Sequence, residues 1–261
     1  MLPLLPERTT KPRSSGVTMV MDKGLGLYQA QDLAEATGHL VDFLKLGFGT
    51  SVVCSKVKEK ARLYRAHGMH VYVGGTLFEA FIVRNRFDDY RRYIDRLGCD
   101  AVEVSDGSIV MEEEEKCRYI TLLARDFTVV SEVGAKDAGV HLDADVWIQC
   151  MNNELSAGSS FVIGEARETG TVGIYEQSGQ ADDALIQSII KEVPADRIIW
   201  EAPQKSQQTW FIRLLGSNVN LGNIAPFEVA ALETLRLGLR GDTFFDFLPE
   251  DFSKHKLTGK Q

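Results

Sequence analysis

Cysteine and histidine are scarce in this sequence, and neither residue is grouped. The four cysteines, Cys54, Cys99, Cys117 and Cys150, form no CxxC pair. That spacing argues against a thiol metal site and fits reduced structural thiols in a cytoplasmic protein. Of the five histidines, His39, His67 and His70 fall at turns that lead into strands, so no Ser-His-Asp constellation can be built on them. No apolar run approaches membrane-spanning length. Residues 1–6 are apolar but short, interrupted by Pro3 and Pro6, and do not read as a signal peptide. A basic excess is also absent: 29 Lys and Arg face 37 Asp and Glu, a formal net charge of −8. This excludes a general nucleic-acid binder, although a local cluster of Lys and Arg could still hold a small anion.

What is present is ordinary globular composition, 44% hydrophobic and 25% charged over 261 residues, enough for one large domain or two small ones. Buried strands are expected at 17–21, 41–46, 69–73, 101–104, 127–133, 160–164, 197–200 and 219–221, with helical segments between them. The periodicity predicts one helix over 52–66 and one long amphipathic helix after Thr76 that reaches Leu97. Eight βα units at a mean repeat of roughly thirty residues suit a single (β/α)8 TIM barrel. Its expected bounds are 17–244, with an irregular arm at 1–16 and a tail at 245–261. An open doubly wound sheet is the runner-up. It would want GxGxxG or GxxxxGK[ST] after the first strand, and neither is there. For the arm, an exposed segment and one docked on the barrel or on a neighbouring subunit stand level.

The strand ends are unusually charged. They carry Asp22 and Lys23, Lys45, Glu103 and Asp106, Glu132 and Lys136, Glu165 and Arg167, Glu201, and Asn223. A buried charge is costly unless paired, metal-bound or catalytic. Any one of these could be a structural ion pair, but that explanation strains for the whole set. Barrels of this class place their active sites at these ends. Strand alternation puts Lys45 on one face with Gly47 and Gly49, and Glu103 with Ser105. A mixed ring of cations and carboxylates suits a small anionic substrate held partly through a divalent metal. Carboxylates without His or Cys companions favour Mg2+ over zinc.

Several phrases are familiar. MDKGLG (21–26), DFLKLGFGTS (42–51), GGTLFE (74–79), EVSDGS (103–108), SEVGAK (131–136) and EARETG (165–170) resemble the phosphosulfolactate synthase family. So do WEAPQKSQQ (200–208), VNLGNIA (219–225) and LETLRLGLRGDTF (232–244). The likeness runs from 17 to 244. Members are (β/α)8 barrels that add sulfite to phosphoenolpyruvate with Mg2+, giving (2R)-phospho-3-sulfolactate. Archaeal members begin a route to coenzyme M, and bacterial relatives lead to sulfolactate. The resemblance implies the same reaction here. Lys136 matches the position proposed for the acid that protonates carbon two. Glu103, Glu132 and Glu165 are assigned to the metal. Lys23, Lys45 and Arg167 would hold sulfite, carboxylate or phosphate. Lys205, Ser206 and the turn at Asn223 are candidates for the phosphate. Arg236 and Arg240 divide evenly between bracing the last helix and binding ligand.

Archaeal-type members tend to carry a second lysine where Ala135 stands, and the arm with Lys11, Pro12 and Arg13 looks like the bacterial branch. A soluble cytoplasmic homo-oligomer is expected, without nucleic-acid or membrane partners. Two rivals remain: a non-catalytic relative of the plant heat-stress-associated type, and another phosphoenolpyruvate or enolate enzyme on the same barrel. The first should have lost the charged strand ends, which this sequence keeps.

Overall fold

The computed structural model describes residues 2–134, 142–167 and 169–257. Eight parallel strands form a nearly closed barrel: β1 (Thr18–Asp22), β2 (Phe43–Leu46), β3 (His70–Val73), β4 (Ala101–Val104), β5 (Thr128–Val133), β6 (Phe161–Gly164), β7 (Ile198–Glu201) and β8 (Leu221–Ile224). The strand order is β3-β2-β1-β8-β7-β6-β5-β4. The fold is the single (β/α)8 barrel expected from the repeat. Between the strands run α1 (Leu27–Thr37), α2 (Thr50–Val53), α3 (Val57–Ala66), α4 (Gly75–Ile82), α5 (Phe87–Leu97), α6 (Glu113–Leu123), α7 (Ala144–Ala157), α8 (Asp183–Glu192), α9 (Lys205–Leu215) and α10 (Val229–Arg236).

Strand alternation divides the core in two. One set of side chains, including Val20, Leu44, Val71, Val102, Val129 and Ile198, packs outward under the helices. The other set, including Met19, Phe43, Ala101, Val130, Ile163 and Ile199, fills the barrel interior. Two residues beyond an apolar inward residue, the strand end turns charged. This happens in five strands: Phe43 then Lys45, Ala101 then Glu103, Val130 then Glu132, Ile163 then Glu165, and Ile199 then Glu201. The apolar layer is the floor on which the charged layer stands.

β3 and β4 are the two ends of the sheet order, and no ladder joins them among the described residues. At the bottom of this seam Asp100 takes the ladder's place. Its N–H donates to Val71 O at 3.3 Å and its carboxylate accepts from Val71 N at 2.8 Å.

Three local expectations differ from the structure. The helix expected over 52–66 is two, α2 and α3, because Lys56 sits at φ +64° and breaks the turn. The long helix ending at Leu97 is also two, α4 and α5, separated where Asn85 takes φ +53°. Asn tolerates that left-handed region. The last strand lies at Leu221–Ile224, not 219–221, because the Asn220 side chain does the work of a ladder. It accepts from Val17 N at 2.9 Å and donates to Ile198 O at 3.1 Å, so regular pairing starts one residue later. Asn223 consequently lies inside β8.

The N-terminal arm is docked, not free. It closes the end of the barrel opposite the charged layer. Arg8 pairs with Glu233 at 2.9 Å, Arg13 pairs with Asp42 at 3.0 Å, and Lys11 donates to Gly38 O and Gly68 O at 2.9 and 3.1 Å. Arg236, fully buried, settles its own divided reading at the same end. It donates to Ser217 O, Val219 O and Val17 O at 2.8, 2.6 and 3.3 Å, and is a brace. No described helix is long and apolar enough to cross a membrane.

Candidate active site

The charged strand ends open into a cavity of about 280 Å³ at the C-terminal face of the barrel. Its lining includes Lys45, Glu103, Glu132, Glu165, Arg167, Glu201 and Asn223. At its centre stands Lys45, 95% buried by solvent exposure. Its Nζ lies 2.9 Å from Glu103 Oε2, 3.4 Å from Glu201 Oε1 and 3.5 Å from Glu132 Oε2. One ammonium therefore gathers carboxylates from β4, β5 and β7.

The charge states follow from that geometry. Burial works to lower the Lys45 pKa, but Glu103, Glu132 and Glu201 together hold it well above its ordinary value. Lys45 is thus a fixed cation. Burial pushes the Glu201 carboxyl up; Lys45 opposes the rise and Glu132 and Glu103 reinforce it. The other Glu201 oxygen accepts from Ala166 N at 2.9 Å. Tyr72, in register with Lys45 on the neighbouring strand, is fully buried. Burial, then Glu103, raise its phenol far above its usual range, so it stays a neutral group inside the barrel.

The surrounding elements hold these side chains. Glu103 Oε1 accepts the Gly75 N–H at the start of α4. Ser105 Oγ lies 3.0 Å from Glu132 Oε1. Lys116, on α6, donates to the Glu132 carbonyl at 2.7 Å and pairs with Asp106 and Glu154, each at 2.7 Å. Behind Glu165 the chain folds back: Ile174 N donates to Glu165 O at 3.0 Å, and Tyr175 OH donates to Glu201 O at 2.7 Å. Gln207 pins the Gly-rich loop, donating to Gly170 O at 2.8 Å and Gly179 O at 3.1 Å.

Of the residues singled out from the sequence, Lys45, Arg167, Asn223, Glu103, Glu132 and Glu165 meet at this cavity. Asn223 holds φ +55° there, and its buried Oδ1 has no hydrogen-bond partner among the described residues. A buried polar atom left unsatisfied at a cavity wall is placed to meet a ligand. Lys23 is exposed at the end of β1 and Lys205 pairs with Asp242 at 3.0 Å; neither is in the lining. Asp22 is absorbed in structure, accepting from Lys60 Nζ at 2.6 Å, Tyr64 OH at 3.0 Å and the N–H groups of Gly24 and Leu25. Lys136 lies outside the described residues.

Sequence reasoning noted Glu201 as a charged strand end but gave it no role, and it did not raise Tyr72 or Glu79. Tyr72 could have been found by counting alternate residues along β3. Glu79 left a weaker signal, a single acid in the otherwise apolar helix GTLFEAFI.

The carboxylates offer only oxygen donors, which suits a hard cation such as Mg2+. Lys45 already occupies the space between three of them, however. No group of three or more His, Cys, Asp or Glu side chains is arranged to hold a metal among the described residues. The set fits a magnesium ion held by one or two carboxylates and completed by substrate oxygens, the usual habit of Mg2+.

Comparison with known proteins agrees with this geometry. The family model described as (2R)-phospho-3-sulfolactate synthase (ComA) matches residues 6–242. The chain is 45% identical to the phosphosulfolactate synthase of Methanothermobacter thermautotrophicus over 246 residues, 92% of this chain and 95% of that protein. It is 39% identical to the phosphosulfolactate synthase of Bacillus subtilis over 244 residues, 92% of this chain and 97% of that protein. Identity to the Arabidopsis thaliana protein HEAT-STRESS-ASSOCIATED 32 is 26%, over 88% of each chain. With a cationic and acidic cavity at the mouth of a (β/α)8 barrel and this extent of likeness, the chain belongs to the (2R)-phospho-3-sulfolactate synthase family of enzymes.

Proposed function

We propose that this enzyme adds sulfite to phosphoenolpyruvate, forming (2R)-phospho-3-sulfolactate with Mg2+. The observation that carries the reading is the cavity itself. It sets the cations Lys45 and Arg167 beside a group of carboxylates, the pairing that a phosphorylated, carboxylated substrate and a divalent metal call for.

In this scheme Arg167 and the Asn223 amide bind anionic substrate oxygens, and Lys45 supplies fixed positive charge as the enediolate develops on the substrate carboxylate. Lys45 needs no proton transfer for that role, because its carboxylate partners keep it protonated. Attack of the sulfite sulfur on the methylene carbon forms the carbon–sulfur bond and moves the electron pair into the enediolate. Lys136 then gives its proton to carbon two on one face, a step supported by the family resemblance. One or two of Glu103, Glu132 and Glu165 would hold Mg2+, which would supply further positive charge to stabilise the enediolate. Lys23 and Lys205 would act on substrate groups that reach beyond the cavity lining.

The non-catalytic alternative expects the charged strand ends to be gone, and this chain retains them as a connected group. The test is incubation of the protein with phosphoenolpyruvate, sulfite and Mg2+, followed by mass spectrometry. A sulfonated, phosphorylated three-carbon product that needs all three components is expected. Turnover of phosphoenolpyruvate without sulfite would point to another enolate enzyme, and no turnover at all would overturn the reading. Lys136→Ala should lose product formation while keeping the thermal transition of the wild type.

A further inference from the structure

The open seam between β3 and β4 raises a mechanical problem at the active site. Lys45 is on β2, beyond β3, whereas Glu103 and Ser105 stand at the end of β4. No ladder sets the height of β4 against β3. Asp100 joins the two strands only at the bottom. The ion pair at the top nevertheless has one short distance, 2.9 Å from Lys45 to Glu103.

Helix α4 bridges the top of the seam. It leaves β3 through Gly74 and passes over the end of β4 at two points. At its first residue, the Gly75 N–H donates to Glu103 Oε1. One turn later Glu79, 98% buried by solvent exposure, reaches the same strand end. Its Oε1 accepts from Ser105 Oγ at 2.8 Å and from Ser108 N at 3.1 Å. Ser105 Oγ is in turn 3.0 Å from Glu132 Oε1 on β5. The close approach requires glycine at 75. A Cβ there would collide with Ser105 Cβ and stand 2.7 Å from Glu103 Oε1.

We propose that Glu79 is a positioning residue for the reaction: together with the first turn of α4 it fastens the end of β4 across the seam, and so sets Glu103, Ser105 and Glu132 against Lys45. Glu79 does not line the cavity. It acts through Ser105, and its side chain does for the top of the seam what Asp100 does for the bottom.

The proposal rests on the reaction proposed above, so the experiment has one arm that reads turnover and one that does not. Glu79→Leu, Ser105→Ala and the double variant are compared with wild type in kcat and in KM for phosphoenolpyruvate. Glu79→Gln is the conservative control, because its amide oxygen can still accept from Ser105 and Ser108. Glu79→Leu should lower kcat about 100-fold, the scale of a misplacement of about 1 Å in a reacting group, with KM changed much less. Glu79→Gln should restore most of the loss. The double variant should be no worse than the poorer single, since both break one connection. Gly75→Ala, which alters no charge, should lower kcat in the same way. In the second arm, hydrogen exchange of the Gly75 and Ser108 amides should speed up in Glu79→Leu and not in Glu79→Gln.

Wild-type kcat in folded Glu79→Leu, or losses that multiply in the double variant, would overturn the positioning role. Unchanged amide exchange would overturn the fastening itself, whatever the substrate proves to be. If Glu79→Leu does not fold, Gly75→Ala and Ser105→Ala decide the question by the same kcat and exchange readings. A wild type without turnover would refute the proposed reaction and leave the exchange arm to judge the seam.

Discussion

Replacing Lys45 by Met tests the electrostatic core of the site directly. The substitution keeps side-chain length and removes a cation shared by Glu103, Glu132 and Glu201 at 2.9 to 3.5 Å. At an effective dielectric constant of about 20, each such contact amounts to about 5 kcal/mol of gross attraction. Most of this is offset in the wild type by taking the ions out of water, several kcal/mol apiece. Removing one partner of a buried ion group costs about 3–5 kcal/mol. For a chain of this size that is a fall in Tm of about 10 °C. The pH dependence gives the sharper check. Burial already holds the Glu201 carboxyl above the ordinary Glu range while Lys45 opposes the rise, so without Lys45 it climbs further. Groups raised in this way favour the folded state below that range and lose their contribution as pH rises. The deficit of Lys45→Met should therefore be largest at pH 8 and shrink by pH 5.5. Thermal unfolding of both proteins at the two pH values measures it. An unchanged Tm at pH 8, or an equal deficit at both, would refute the reasoning.

Other perturbations have equally definite outcomes. Glu201 is pushed up to about 8, chiefly by burial. Its contribution to stability is present below the ordinary Glu pKa and lost as pH rises toward 8 and beyond. Glu201→Gln should therefore flatten that loss, read as the change in urea midpoint between pH 5 and pH 9. Arg236→Met removes the donor from three main-chain carbonyls at the bottom of the barrel. It should cost about 3 kcal/mol or more in chemical denaturation, with kcat per folded molecule unchanged. Arg167→Met should raise KM for phosphoenolpyruvate about tenfold, the scale of one charge-assisted hydrogen bond, as steady-state kinetics would show. Lys205→Ala breaks an exposed pair with Asp242 and should change stability by less than about 1 kcal/mol.

Much of the site was legible because a strand's side chains alternate. Once Phe43, Ala101, Val130, Ile163 and Ile199 are taken as inward, the residues two further on must point inward as well, and those are Lys45, Glu103, Glu132, Glu165 and Glu201. The rule holds only while the chain remains a strand. Lys23 follows the end of β1 and is exposed, and Lys205 belongs to α9, where period two says nothing. The helix breaks at Lys56 and Asn85 had no proline to announce them; each depends on a single left-handed residue that the fold imposes. The late start of β8 was hidden for a related reason. Its first pairing is made by the Asn220 side chain, which resembles strand pairing only after the barrel has closed around it.

The pairing of charges lies deeper still. Alternation says that Lys45 and the carboxylates face the same space, but not how one cation is divided among three acids. That division depends on the height of each strand relative to its neighbours. For most of the barrel the ladder sets those heights. Across β3 and β4 it does not, and there the alignment passes to Asp100 below and to Gly75 and Glu79 above. None of these three looks catalytic in the sequence. Yet a slip of one residue at this seam, roughly 3.3 Å along a strand, would part Glu103 from Lys45 altogether. The arrangement of charge at the mouth of this barrel is therefore only as well defined as the polar contacts that replace the missing ladder.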